Sequence, residues 1–223
     1  MAARLVRFLL ISSPSAVTED MLFEAFWADR SAGAARRHLA VALSRARKVL
    51  DLPGAARSII EVSERTYAIR LRERDSVDAH EFETTAAGAL GQSGSSRRAS
   101  LEHAAALWTG EPLPEDRYTD WTYAWRERLI DRYRQVLAAL IDACSRSGDH
   151  LEAARAARKC VELDPLDEGA HRELMAAYAR AGRTSNALRQ YLECRRALVD
   201  ELGVEPSERT SDLQTRILAG EPV

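Results

Sequence analysis

Along the first fifty positions, apolar residues recur at three- and four-residue spacing between short polar breaks. Leu5, Phe8 and Leu9 begin this pattern and predict a helix over 3–12, which "SSPS" (12–15) stops. Ala16 and Val17 read as a brief extended link. Thr18 suits the N-cap of a second helix, 19–27, "EDMLFEAFW", whose first turn carries acids where the helix dipole favours them. A turn, "ADRSAG" (28–33), leads into a third helix over 34–50, and "DLPG" (51–54) ends it.

The period then changes. "RSIIEVSERTYAIRL" (57–71) is rich in β-branched and aromatic residues, and Val62, Tyr67, Ile69 and Leu71 fit half-buried strands around a tip near Glu64 and Arg65. No glycine lies at that tip, which predicts a longer or irregular turn. Three helices and a hairpin within 75 residues is the order of a winged helix-turn-helix.

From about residue 77 the pattern is helical throughout. Helices are predicted over 77–90, 99–108 and from Trp121 to about Ser147, separated by "GQSGSSRR" (91–98) and the Pro-punctuated "TGEPLPEDRYTD" (109–120). A repeat then emerges. Gly148 and Gly182 are 34 residues apart, as are Leu140 and Leu174, Cys144 and Tyr178, and Ala153 and Ala187. Thirty-four residues is the tetratricopeptide period, helix-turn-helix with small residues where the helices meet. Pro165 and Pro206 are 41 apart, so the latter helix of the second hairpin is expected to be about two turns longer, and a last helix near 207–218 would cap the stack. The fold class expected is mainly α: a winged helix-turn-helix with a small β-hairpin wing in 1–75, then an all-α tetratricopeptide-like domain in 76–223.

The composition of the 223 residues is that of an ordinary globular chain. Cys144, Cys160 and Cys194 form no CxxC or Cys/His cluster, so no metal is expected and packing is the ordinary role for them. The start, "MAARLVRFLLISSPSA", has some likeness to an export signal, but Arg7 interrupts its apolar run, and a cytoplasmic location is expected. No apolar run approaches the ~20 residues of a membrane helix. Trp108, Trp121, Tyr123 and Trp125 read as an aromatic cluster serving core and inter-helix packing.

Charge changes the picture. The net charge of −2 conceals 13 basic and 9 acidic groups in 1–75 against 19 and 25 in 76–223. Residues 31–50 hold five cations and no acid, and a polyanion would meet this local field rather than the average. On a helical wheel Leu39, Leu43, Ala46 and Leu50 share one stripe, with Ala42 beside it. The opposite face carries Arg37, Val41, Ser44 and Lys48, flanked by His38 and Arg45 on one side and by Arg36 and Arg47 on the other. A DNA major groove admits one helix, marginal cations meet phosphates, Arg pairs bidentately with guanine, Ser reaches a base edge or phosphate, and Val suits a thymine methyl. The candidate DNA-binding residues are therefore Arg36, Arg37, His38, Val41, Ser44, Arg45 and Lys48, with Arg65 at the hairpin tip placed for a minor groove or the backbone. The ordinary alternative is a solvated basic face on a core helix.

Taken together, "LFEAFWAD", "ARRHLAVALSRARKVL", "VDAHEFE", "WTGEPLPEDRYTDWTYAWRERL" and the closing stretch from "GDHLEAARAARKCVELDP" to "ELGVEPSERT" resemble a known architecture. It is an OmpR-like winged helix followed by a bacterial transcriptional activator domain, as in the actinomycete antibiotic regulatory proteins. The resemblance implies a transcriptional regulator, usually an activator, that binds promoter DNA with 34–50 as recognition helix and 58–71 as wing. It also implies a homodimer in which the helical-repeat domain serves dimerisation and contact with RNA polymerase. Two departures stand out. The family pattern has a small antiparallel sheet before the first helix, whereas this chain starts at that helix, so a winged helix without that sheet, or a piece of a longer regulator, is expected. The wing reads "SERTY" without the usual glycine before the tyrosine.

The competing reading is a protein-interaction scaffold or effector module of a larger signalling protein, with a degenerate winged helix. An enzyme is not expected. Neither lysine follows a glycine as a Walker A loop requires, HExxH is absent, and "GQSGS" is not GxSxG; no cofactor is implied.

Overall fold

The computed structural model describes residues 1–54, 58–73 and 75–223; Arg57, the first residue of the strand-rich stretch, lies outside the described residues. The chain is mainly helical with a small antiparallel sheet, and it forms two compact units. One comprises Met1–Glu81 with Gly110–Leu129, the other Phe82–Thr109 with Ile130–Val223. The boundary expected after residue 75 thus falls after residue 81, and the segment 110–129, expected in the second domain, packs with the first.

In the first unit α1 (Ala2–Ser12), β1 (Val17–Thr18), α2 (Glu19–Trp27), α3 (Ala32–Leu50), β2 (Ile60–Ser63) and β3 (Thr66–Ile69) follow in order. The Thr18 side chain accepts from the Met21 N–H at 3.3 Å and caps α2. Ser31 does the same for α3 through the Ala34 N–H, which is why α3 starts earlier than expected: a serine in the turn is a stronger start signal than the alanines behind it. At the other end the Asp51 carboxylate accepts from the Ile59 N–H at 2.9 Å and the Ser58 hydroxyl at 3.1 Å, tying the end of α3 to the approach of β2. Leu5, Leu9, Val17, Leu22, Leu39 and Ile60 are fully buried in one core built from all three helices and the sheet.

The sheet has the order β1-β3-β2, all antiparallel. Val17, expected in a brief extended link, and the cap residue Thr18 pair with β3 in the register Val17↔Tyr67 and Thr18↔Thr66. The hairpin tip also differs from expectation. Ser63 pairs with Thr66, so Glu64 and Arg65 alone make the turn, at φ 46° and 66°. Two successive left-handed residues define the primed turn that matches strand twist, here without glycine and at a steric cost of ~1 kcal/mol or more per residue. The Arg65 carbonyl accepts from the Glu19 N–H at 2.9 Å, which anchors the turn to the start of α2. Tyr67 and Ile69 are buried, but Val62, expected to be half-buried, is exposed because β2 is an edge strand with no neighbouring strand on one flank among the described residues.

Asp116 explains why 110–129 belongs to this unit. Its buried carboxylate takes Arg4 Nε and Arg7 Nη1, each at 2.8 Å, and Arg7 also reaches Glu115. The Thr119 and Thr122 hydroxyls donate to the Asp116 carbonyl. Trp121 then packs against Phe8 and Phe26, with ring centroids 5.3 and 5.7 Å away.

The second unit contains most of α4 (Asp78–Gly91), then α5 (Arg97–Ala106), the greater part of α6 (Asp120–Arg146), α7 (His150–Leu163), α8 (Glu168–Arg180), α9 (Thr184–Leu202) and α10 (Glu208–Ala219). The 34-residue offset is geometric as well as sequential. Gly148 and Gly182 take φ 75° and 70°, and beyond them Asp149 N–H donates to Cys144 O as Arg183 N–H donates to Tyr178 O. Each is the helix stop in which a left-handed glycine lets the next amide reach back to an orphan carbonyl. Leu140, Leu174, Cys144, Tyr178, Ala153 and Ala187 are all buried. Helix α9 has 19 residues against 14 in α7, nearer one and a half extra turns than the two expected. The aromatic residues do not form one cluster. Trp108 stacks on Tyr133 at 4.4 Å in this unit, whereas Trp121 and the buried Trp125 serve the first unit and Tyr123 is exposed. Cys144 and Cys194 are buried, and burial pushes the Cys160 and Cys194 thiols up to about 11, so they are inert packing groups. No helix among the described residues is long and apolar enough to cross a membrane.

Candidate nucleic-acid interface

Helix α3 divides its residues cleanly. Ala35, Leu39, Ala42, Leu43 and Ala46 face the core. Arg36, Arg37, His38, Val41, Ser44, Arg45 and Lys48 are all exposed, so the seven helical candidates share one outward surface. Nineteen residues at 1.5 Å rise make a rod of about 28 Å, and its 37–48 face spans roughly 17 Å. The eighth candidate, Arg65, is exposed at the β2–β3 turn.

The electrostatics sharpen this surface. Many cations of the first 75 residues are engaged internally: Arg4 and Arg7 with Asp116, Arg70 with Glu61, Arg72 with Asp75. Arg47 donates to the Ile60 carbonyl at 2.9 Å and holds β2 against α3. Among the described residues Arg37, Arg45, Lys48 and Arg65 form no ion pair. Among the described residues, the cations of 1–75 that are neither ion-paired nor hydrogen-bonded therefore lie on the outward side of α3 and at the turn.

Arg36 is the exception among the candidates. Its Nε donates to Glu19 Oε1 at 2.9 Å and its Nη2 to Oε2 at 2.5 Å, a two-pronged clamp between α3 and α2. The Glu19 side chain is only 7% exposed. Hydrogen bonding from Arg36 holds its carboxyl below the ordinary carboxylate value, against the desolvation that would raise it. Tyr67 beside it is pushed up, first by burial and then by the Glu19 charge. Arg36 thus sits on the outward surface with its guanidinium turned onto an internal acid.

His38 is oriented by α2. Its ring lies within 15° of parallel to Trp27, the centroids 6.3 Å apart. Together with Arg30, Val41 and Arg45 these two rings border a hollow of 300 Å³ beside the outward face. Sequence reasoning passed over Arg30, since a turn residue next to an N-cap gives no sign of its direction. It also passed over Glu19, whose only signal was an acid in a first helical turn.

Exposed unpaired cations along a groove-sized rod, with one small apolar residue and one hydroxyl at the centre, can neutralise phosphates and touch base edges.

The profile of the bacterial transcriptional activator domain matches residues 77–218. The chain is 32% identical to the regulatory protein AfsR of Streptomyces coelicolor over 225 residues, covering 98% of this chain and 22% of that protein. It is 33% identical to the regulatory protein DnrI of Streptomyces peucetius over 124 residues, 56% of this chain and 46% of that one. The chain thus spans about a fifth of the AfsR length and under half of the DnrI length. Among solved structures, Mycobacterium tuberculosis EmbR in complex with a low-affinity phosphopeptide superposes on all of this chain and 60% of its own, with a TM-score of 0.69 at 22% identity.

Proposed function

The chain belongs to the bacterial transcriptional activator domain family, and from that premise we propose that it is a sequence-specific DNA-binding regulator, an activator of transcription. Residues 1–75 act as a winged helix-turn-helix and 76–223 as a tetratricopeptide-like module. Helix α3 enters the major groove with Val41 and Ser44 toward the bases, Arg37 and Lys48 at the two ends of that face reaching bases and phosphates, and His38 and Arg45 at a phosphate margin, while Arg65 carries the wing to the adjacent backbone.

The observation that carries this reading is the outward face of α3: Arg37, Arg45 and Lys48 free of ion pairs among the described residues, no acid among them, and Val41 at the centre. A solvated helix face normally mixes both signs. One sign on one face, on a helix wedged into its unit by leucines, suits a polyanion partner. The helical-repeat module serves homodimerisation and contact with RNA polymerase, and the protein works in the cytoplasm on promoter DNA.

Selection of bound fragments from genomic DNA with the purified chain, followed by mobility-shift titration, tests the proposal. A recurrent sequence bound ~10³-fold or more tightly than random duplex is expected. Equal affinity for all duplexes would overturn it.

A further inference from the structure

The Glu19–Arg36 clamp joins the start of α2 to the outward surface of α3. Glu19 is nearly buried at the start of α2, beside the exposed Asp20, and it holds a guanidinium that is itself half-exposed on the outward surface. Both Arg36 donors directed at Glu19 are engaged, so the group cannot also offer that bidentate edge to a phosphate. Its neighbours Arg37, Arg45 and Lys48 carry no comparable partner among the described residues. The acid therefore acts on one chosen cation of the set.

We propose that Glu19 withholds Arg36 from nucleic-acid phosphates and so serves as a specificity-determining residue. Phosphate contacts hold a protein on any sequence, whereas base contacts select one. Each additional phosphate contact tightens random and cognate binding together. By turning Arg36 into a strut between α2 and α3, Glu19 limits sequence-independent attraction and leaves α3 fixed in place for reading bases. Arg36 is then a positioning residue, and phosphate neutralisation falls to Arg37, Arg45, Lys48 and Arg65.

The inference rests on the DNA-binding reading but is separable from it. The experiment compares the full chain with Glu19→Gln, Arg36→Met and the double variant, each first checked for a native thermal transition. The measured quantity is the slope of log affinity against log salt on random duplex. Glu19→Gln is expected to steepen that slope by about 0.9, the value for one added phosphate contact, and to narrow the ratio of cognate to random affinity. Arg36→Met alone should leave the slope unchanged, and the double variant should return to the wild-type slope. A wild-type slope for Glu19→Gln, or a shallower slope for Arg36→Met, overturns the proposal.

Elution from heparin reports the released cation without requiring duplex recognition. Glu24→Gln, an exposed acid on the same helix, controls for loss of one negative charge. Later elution of Glu19→Gln than of Glu24→Gln is expected, and equal elution overturns the proposal. Absence of duplex binding by the wild-type chain would instead overturn the functional reading and leave the heparin comparison to decide this one.

Discussion

Leu39 and Val41 stand two residues apart on α3 and face opposite ways: Leu39 is 1% exposed and Val41 51%. At 100° per residue, two positions turn a helix through 200°, so adjacent hydrophobes do opposite work. Replacing Leu39 with Ala should destabilise the first unit by about 2–5 kcal/mol, the range for a buried leucine. Val41→Ala should move stability by no more than ~0.5 kcal/mol and change which duplex is preferred. Urea titration and a selection from random sequence separate the two effects. Comparable destabilisation by both substitutions would mean α3 has no outward face.

Arg37 and Lys48 sit eleven residues apart on that face without an ion-pair partner among the described residues. Arg37→Ala and Lys48→Ala should each weaken promoter binding, and a lost phosphate contact should make the salt slope shallower by about 0.9. The thermal midpoint should not change. Mobility-shift titration at two salt concentrations gives both numbers, and unchanged affinity and slope in both variants would remove this face from the interface.

Glu64 holds φ 46° without the freedom of glycine. Glu64→Gly should relieve ~1–2 kcal/mol of steric cost while adding ~0.5–1 kcal/mol of unfolded-chain entropy. A net stabilisation of roughly half to one kcal/mol is expected, with Arg65 still at the tip. Equilibrium denaturation measures it, and a destabilised variant would contradict the left-handed turn.

Glu19 also makes a prediction with pH. Its folded carboxyl is held below the ordinary value, chiefly by the Arg36 hydrogen bonds. Such a group stabilises the fold fully above the unfolded value near 4.5, and the contribution is lost as pH falls through the lower folded value. The stability difference between wild type and Glu19→Gln should therefore be largest at neutral pH and shrink steadily in acid. A difference independent of pH between 7 and 3 would contradict the ion pair.

Gly148 and Gly182 occupy equivalent left-handed stops. Alanine at either should cost the second unit about 1–2 kcal/mol, by similar amounts, because a Cβ is penalised by the backbone conformation itself. Calorimetry on the two variants checks the equivalence, and unequal losses would mean the two turns are not structural repeats.

Several of these relationships were already legible in the residues. The caps Thr18 and Ser31, the leucine stripe of α3 and the 34-residue offset are local signals, each set by hydrogen-bonding reach or helical period within a few turns. The offset reappears down to the paired amide bonds at Asp149 and Arg183. The bias of cations in 31–50 was equally plain, since composition needs no coordinates.

Long-range pairing was not legible. Arg36 reads in sequence as one more cation on the face, and only the approach of α2 puts Glu19, 17 residues away, against its guanidinium. Asp116 reads as a loop acid, yet 109 residues of chain return it to Arg7 and carry 110–129 into the first unit. Nor does any local signal say that Glu64 and Arg65 can make a two-residue turn, since the anchor is the Glu19 amide. The sequence by itself determined the helices, the repeat and the sign of the outward charge, because these follow from period and composition. Tertiary structure alone decided which cations remain free and which segments share a core, because ion pairs and packing depend on where distant parts of the chain meet.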